Sequence, residues 1–79
     1  MKVRLKYFGN IAEMVGASEE VLELNEGANT ELLCKLLEER LPHLATSNYR
    51  LALNQSIANE NVELNESDEL ALLPPFAGG

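Results

Sequence analysis

Leu33, Leu37 and Leu41 recur at i, i+4 and i+8, and Pro42 closes the pattern. In a chain of 79 residues this is the main helical stripe, and it constrains the fold more than any other feature. Thr30 is placed to cap the helix, and Glu31 sits in its first turn, where the helix dipole favours negative charge. The helix runs to about Leu41, with Pro42 as its stop. Leu36 and Leu44 lie beside the stripe. Cys34 sits at its edge and reads as a small boundary residue, because no second cysteine accompanies it. A helix with one apolar stripe must bury it against another layer, and the remaining segments supply a sheet.

Lys2 to Phe8 alternates, with Val3, Leu5 and Tyr7 on one face and Lys2, Arg4, Lys6 and Phe8 on the other. Period two predicts a half-buried strand, with Phe8 as an aromatic on the polar side. Gly9 breaks it. Asn10 to Val15 predicts a short helix, with Asn10 as N-cap, Gly16 as C′ and Ile11, Met14 and Val15 on one face. Glu20 to Leu24 predicts a second strand with Leu22 and Leu24 inward, and places Glu23 across from Arg4 or Lys6. Asn25 to Asn29 is a turn, and Leu44 to Tyr49 a loop. Tyr49 to Leu53 is the third strand. Ile57, Val62 and Leu64 suggest short strands around a turn at Asn59 to Asn61. Asn65 to Asp68 is another turn. Glu69 to Leu73 is the last strand, with Leu70 and Leu72 inward and Leu73 outward. Two strands before the long helix and several after it fit an α+β domain, a mixed sheet curled round one main helix. The expected division is a domain over residues 1–73 and a flexible tail over 74–79.

The formal net charge of −7 excludes nucleic acid and anionic membranes as expected partners, because phosphate binding needs clustered cations. It suggests a basic face on a partner protein. One cysteine excludes an internal disulfide. No run approaches the ~20 apolar residues of a membrane span, and Met1 to Lys6 does not read as a signal peptide, so the expected location is the cytoplasm. A domain this small has no room for a deep cleft with its own lid. One histidine, His43, and one cysteine assemble no zinc cluster. The carboxylates Glu38, Glu39, Glu66, Asp68 and Glu69 read as solvated. No Gly-rich phosphate loop and no Ser-His-Asp context is present.

The remaining chemistry lies in Pro74-Pro75-Phe76-Ala77-Gly78-Gly79. Two prolines fix φ and favour an extended exit from the strand. Glycine lacks a Cβ, so Gly78 and Gly79 fit a narrow channel where a side chain would clash. Six residues reach about 20 Å at most. On the dipeptide alone, an inert terminus and a reactive tip stand equally. As a reactive tip, the Gly79 carboxylate is a poor electrophile until joined to AMP. A sulfur nucleophile can then attack the mixed anhydride and leave a thiocarboxylate.

Motifs over most of the length bear on this choice. Lys2-Val3-Arg4-Leu5-Lys6-Tyr7-Phe8-Gly9, Ile11 to Gly16, Leu51-Ala52-Leu53-Asn54-Gln55 and Ser67 to Gly79 resemble the small subunits of molybdopterin synthase, a family of ubiquitin-like sulfur carriers. The Pro-Pro separates this ending from the thiamine-pathway carriers, which also end in Gly-Gly. The resemblance implies a β-grasp fold and a sulfur carrier for molybdenum-cofactor synthesis that binds no cofactor and catalyses nothing alone. It implies three partners. An ATP-dependent, ubiquitin-activating-like adenylyltransferase would adenylate Gly79. A sulfur donor protein would convert it to the thiocarboxylate. The large synthase subunit would receive the tail in a heterotetramer, where sulfur passes to cyclic pyranopterin monophosphate. Phe8, Ile57 and Leu73 are the expected docking patch, with Pro74, Pro75 and Phe76 continuing it; core is the lesser alternative for Ile57. Alternatives are thiolation of a thiamine precursor or tRNA, and a protein modifier joined to lysines through Gly79. Ser67 stands where the family usually has glycine, and Ala12 where arginine is common.

Overall fold

A computed structural model describes residues 1–75. The strands are β1 (Lys2–Tyr7), β2 (Glu19–Glu23), β3 (Arg50–Leu53), β4 (Ser56–Ile57) and β5 (Glu69–Leu73). The helices are α1 (Asn10–Val15), α2 (Thr30–Arg40) and α3 (Pro42–Ala45). The strands form one sheet in the order β2-β1-β5-β3-β4. β1 and β5 run parallel at its centre, and the other pairs are antiparallel. This is the β-grasp arrangement: a mixed, ubiquitin-like sheet with one main helix across it. None of the described helices is long and apolar enough to cross a membrane.

The alternation dictates the core. Val3, Leu5 and Tyr7 of β1 and Leu70 and Leu72 of β5 are buried on one face, against Leu33 and Leu37 of α2, Leu44 of α3 and Ile11 of α1. Removing each such side chain from water contributes about 1.5–3 kcal/mol. Leu41, Met14, Val15 and Cys34 pack at the edge of this cluster.

Several local expectations are corrected. Asn29, not Thr30, caps α2: its side chain accepts from the Leu32 N–H at 2.9 Å. The Thr30 hydroxyl is buried and already engaged, accepting from the Val62 N–H at 3.0 Å and bonding Asn61 Oδ1 at 3.2 Å. Gly9, not Asn10, precedes α1, while Gly16 closes it in the left-handed conformation at φ 87°. Pro42 does not simply stop α2. It occupies the first turn of α3, where its missing N–H costs nothing, so the expected loop after Leu44 begins one helical turn later. Leu36 is exposed instead of flanking the stripe. Val62 and Leu64 form no strand of their own; their backbone bonds go to residues 28–30 around the single bridge Asn29–Glu63.

Pairing across β1 and β2 is also shifted. Glu23 lies opposite Lys2, and Arg4 lies opposite Val21. Arg4 Nη2 and Lys6 Nζ turn instead to Glu69 Oε1 on β5, at 3.5 and 3.4 Å. Ser67 adopts φ 69°, the left-handed conformation that glycine favours. It is held there by its N–H bond to the Lys2 carbonyl at 2.7 Å and by Asp68 Oδ2, which accepts from the Asn65 N–H at 2.7 Å.

Candidate functional site

The sheet face away from α2 has no covering layer among the described residues. β1 puts Lys2, Arg4 and Lys6 there, β5 puts Glu69, Ala71 and Leu73, β3 puts Arg50 and Ala52, and β4 adds Ile57. The register sets them in rows. Ile57 faces Ala52, Ala52 faces Ala71, and Ala71 faces Lys6. Arg50 faces Leu73 in the next row. Continuing the β1–β5 register by one residue brings Phe8 beside Leu73, and the Phe8 N–H donates to the Leu72 carbonyl at 3.2 Å.

Phe8 is 45% exposed and Ile57 44%, so Ile57 is surface and not core. Leu73 is half-buried and lies outside the core cluster, as the alternation requires. Phe8 and Leu73 are therefore neighbours. Ile57 stands two strands from Leu73, about 10 Å across the sheet at ~4.8 Å per strand. The two alanines make a low floor that joins them. Ala52 is 6% exposed yet is not part of the core cluster. The alanines are what the sequence reading missed. Their signal was the continuing period-two pattern, in which Ala52 and Ala71 fall on the side of Leu73.

The face also has its own charge. Lys2, Arg4, Lys6 and Arg50 are four of the six Lys and Arg residues in a chain of net charge −7. Glu19 and Glu23 of β2 lie opposite Lys6 and Lys2 on this same face, and with Glu69 they leave it near neutral, while the acidic excess sits mainly in the loops that hold Glu26, Glu60, Glu63, Glu66 and Asp68.

The root of the tail lies at one end of these rows. Pro74 is half-buried and Pro75 exposed. Phe76, Gly78 and Gly79 lie outside the described residues.

Elsewhere the residues offer little chemistry. Burial raises the Cys34 thiol above its ordinary value, which keeps it protonated and unreactive. Burial also raises Tyr49, whose hydroxyl donates to Glu38 Oε2 at 2.7 Å, so Glu38 is a structural acceptor and not merely solvated. Glu20 accepts from both the Tyr7 hydroxyl and Arg40, tying β1, β2 and α2 together. His43 is exposed on α3. Among the described residues, no group of three His, Cys, Asp or Glu side chains could hold a metal ion.

Comparison with known proteins places this face and tail in context. The ThiS family model matches residues 5–79. A Chlamydomonas reinhardtii protein named molybdopterin synthase sulfur carrier subunit is 32% identical over the whole of both chains. One from Mycobacterium tuberculosis with the same name is 33% identical, covering all of this chain and 99% of that one. A solved structure from Pyrococcus furiosus, titled a putative molybdopterin converting factor subunit 1, superposes with a TM-score of 0.87 at 26% identity, over 96% of this chain and 99% of that one. With the fold, the open face and these matches agreeing along nearly its full length, the chain belongs to the ThiS family of ubiquitin-like proteins, alongside the molybdopterin synthase sulfur carrier subunits.

Proposed function

We infer that this chain is the sulfur carrier subunit of a molybdopterin synthase, and that Gly79 carries the sulfur as a terminal thiocarboxylate. One observation carries the reading: an apolar, uncovered sheet face runs directly into the Pro-Pro root of a Gly-Gly tail, in a chain that aligns end to end with named sulfur carriers. The described residues offer no activated nucleophile, so the chain acts as a handle on which enzymes work.

The chemistry is simple in outline. The Gly79 carboxylate attacks the α-phosphorus of ATP in an adenylyltransferase and displaces pyrophosphate. A hydrosulfide equivalent from a sulfur donor then displaces AMP and leaves the thiocarboxylate. In the large synthase subunit the sulfur attacks a carbon of cyclic pyranopterin monophosphate, a C–O bond at that carbon breaks and its oxygen leaves with the electron pair, and Gly79 is left joined to the pterin as a thioester. Water cleaves the acyl–sulfur bond, returning the carboxylate to Gly79 and leaving sulfur on the pterin. Gly78 passes the narrow channel that leads there. Phe8, Leu73 and Ile57, over the Ala52–Ala71 floor, dock the domain, and Pro74, Pro75 and Phe76 extend the contact. The cations of this face select partner surfaces with exposed carboxylates around an apolar centre. ATP-dependent activation sets the work in the cytoplasm.

Intact-mass measurement tests this. Incubated with ATP, a cognate adenylyltransferase and a sulfide source, the chain gains the mass difference between sulfur and oxygen, within the peptide containing Phe76 to Gly79. Cys34→Ser leaves the gain unchanged. Sulfur found on Cys34, or isopeptide-linked Gly79 on target lysines in its place, overturns the reading.

A further inference from the structure

β1 and β5 are parallel neighbours, so both leave the sheet at the same end. β1 turns off through Phe8 and Gly9 into α1, while β5 continues into Pro74. They part at Gly9, and the contact there is close. A Cβ built on Gly9 would stand 3.1 Å from Pro74 Cγ, 3.7 Å from Cδ and 3.9 Å from Cβ. The Pro74 ring thus lies on the bare Cα of Gly9. Gly9 itself is held at φ 58° and ψ −137°. Its carbonyl accepts from the Ala12 N–H at 3.1 Å, and the Phe8 carbonyl accepts from Ile11 at 3.2 Å, so the seat is part of the α1 junction and not a loose turn. Gly16 makes a contrast. Its φ is also positive, at 87°, yet a Cβ there would meet nothing within 4 Å. Gly16 serves backbone conformation alone; Gly9 serves conformation and a contact with the root of the tail.

We propose that Gly9 is a positioning residue for sulfur transfer: it seats the Pro74 ring and so fixes the line along which the chain leaves the sheet toward residues 76–79, beside Phe8 and Leu73. The proposal rests on the carrier role inferred for this chain. Three constraints converge at the root: the Phe8–Leu72 hydrogen bond, the fixed φ of proline, and the seat. A tip that must meet a reaction centre in another protein benefits from a root that points one way, because the ordering is done before docking.

A double-mutant cycle on Gly9→Ala and Pro74→Ala separates the seat from backbone strain. The readouts are melting temperature, Kd for the large synthase subunit, and single-turnover sulfur transfer from preformed thiocarboxylate at saturating large subunit. Gly9→Ala is expected to slow transfer tenfold or more while Kd stays within about threefold. Gly16→Ala, which carries the left-handed penalty without the contact, leaves transfer unchanged. In the Pro74→Ala background, Gly9→Ala adds little further loss. Native transfer by Gly9→Ala overturns the proposal. So does an equal loss in both backgrounds, which assigns the effect to backbone strain. Should Gly9→Ala not fold, Pro74→Ala alone decides, read at saturating large subunit so that any loss of docking contact drops out: slower single-turnover transfer at unchanged melting temperature supports the seat, and native transfer refutes it. Nuclear Overhauser contacts between the Gly9 α-protons and the Pro74 ring protons test the seat in the isolated chain. Their absence overturns the proposal whatever the activity; their presence in a chain that never accepts sulfur overturns the carrier role and leaves the seat as a structural contact only.

Discussion

The two faces of the sheet are made by the same strands and follow opposite rules. On the covered face, Val3, Leu5, Tyr7, Leu70 and Leu72 fill volume against α2 and are almost wholly shielded from water. On the open face, one residue away along each strand, Ala52 and Ala71 leave volume empty, and Phe8, Leu73 and Ile57 stand around them with cations at the margin. The covered face is complete within this chain. The open face is apolar in the middle, and no layer among the described residues closes it. Stability therefore resides on one side of the sheet, the proposed docking role falls on the other, and substitutions one position apart should have unlike effects.

The sharpest way to break this division is to cut into the covered face. Leu70→Ala leaves a cavity between the central strand and the helices, and such truncations cost about 2–5 kcal/mol. A domain of this size holds on the order of 4–12 kcal/mol in total, at about 0.05–0.15 kcal/mol per residue. Urea unfolding should show a much lower midpoint or a chain unfolded without denaturant. A near-native midpoint would mean that the core lies elsewhere.

The neighbouring test is Leu73→Glu on the open face. It should weaken the complex with the large synthase subunit by more than about 1.4 kcal/mol, a factor of ten. The melting temperature should move little, since Leu73 is outside the core cluster. A large loss of stability with unchanged binding would reverse the assignment of the two faces.

The smallest effect is expected at the rim, where Glu20 accepts from Tyr7 and Arg40. Burial pushes the Glu20 carboxyl up, but the hydrogen bonds from Tyr7 and Arg40 and the Arg40 charge outweigh it, and the group sits below the ordinary carboxylate range. A carboxyl lowered in the folded state contributes its stability fully above its unfolded value, about 4.3, and loses it as pH falls through the lower folded value. Glu20→Gln should cost about 1 kcal/mol at neutral pH. The gap from the native chain should narrow as pH drops below about 4. A gap that is constant across pH would show that the carboxylate charge is not what holds the seam.

Much of this division was legible in the sequence, and the reasons for the failures are specific. Lys2 to Phe8 and Glu69 to Leu73 alternate cleanly, and that alone assigned Val3, Leu5, Leu70 and Leu72 to the core and left Phe8 and Leu73 outside it. The β1–β2 register was missed because sliding a strand by two residues preserves the alternation, so pattern cannot distinguish Glu23 opposite Arg4 from Glu23 opposite Lys2. The α2 cap was missed because Asn29 and Thr30 are both good caps, and the choice was made by a distant partner, Asn61. Pro42 has two meanings, a stop for one helix and a start for another, and the short α3 has too few residues to show a period. At the candidate site, Phe8 and Leu73 were visible because they are large apolar side chains on a polar side. Ala52 and Ala71 were not, because alanine is unremarkable on either face. Net charge is silent on placement for the same kind of reason: a sum over 79 residues says nothing about which face holds the cations.

The parallel pairing of β1 and β5 joins Arg4 to Glu69, nearly the full described length of the chain apart, and it stands at the middle of the sheet. That placement has a consequence for how the molecule comes into being. On the ribosome, β1, β2 and the helices emerge first, yet the sheet has no centre until Leu73 is clear of the exit tunnel. Closing so long a loop is slow relative to local helix formation. A nascent or truncated chain therefore has two half-sheets and an exposed helix stripe until its last strand arrives. Proofreading of the fold is thereby tied to the same segment that leads into the tail, so a chain whose β5 has not docked also has no anchored root from which residues 76–79 can be offered to a partner.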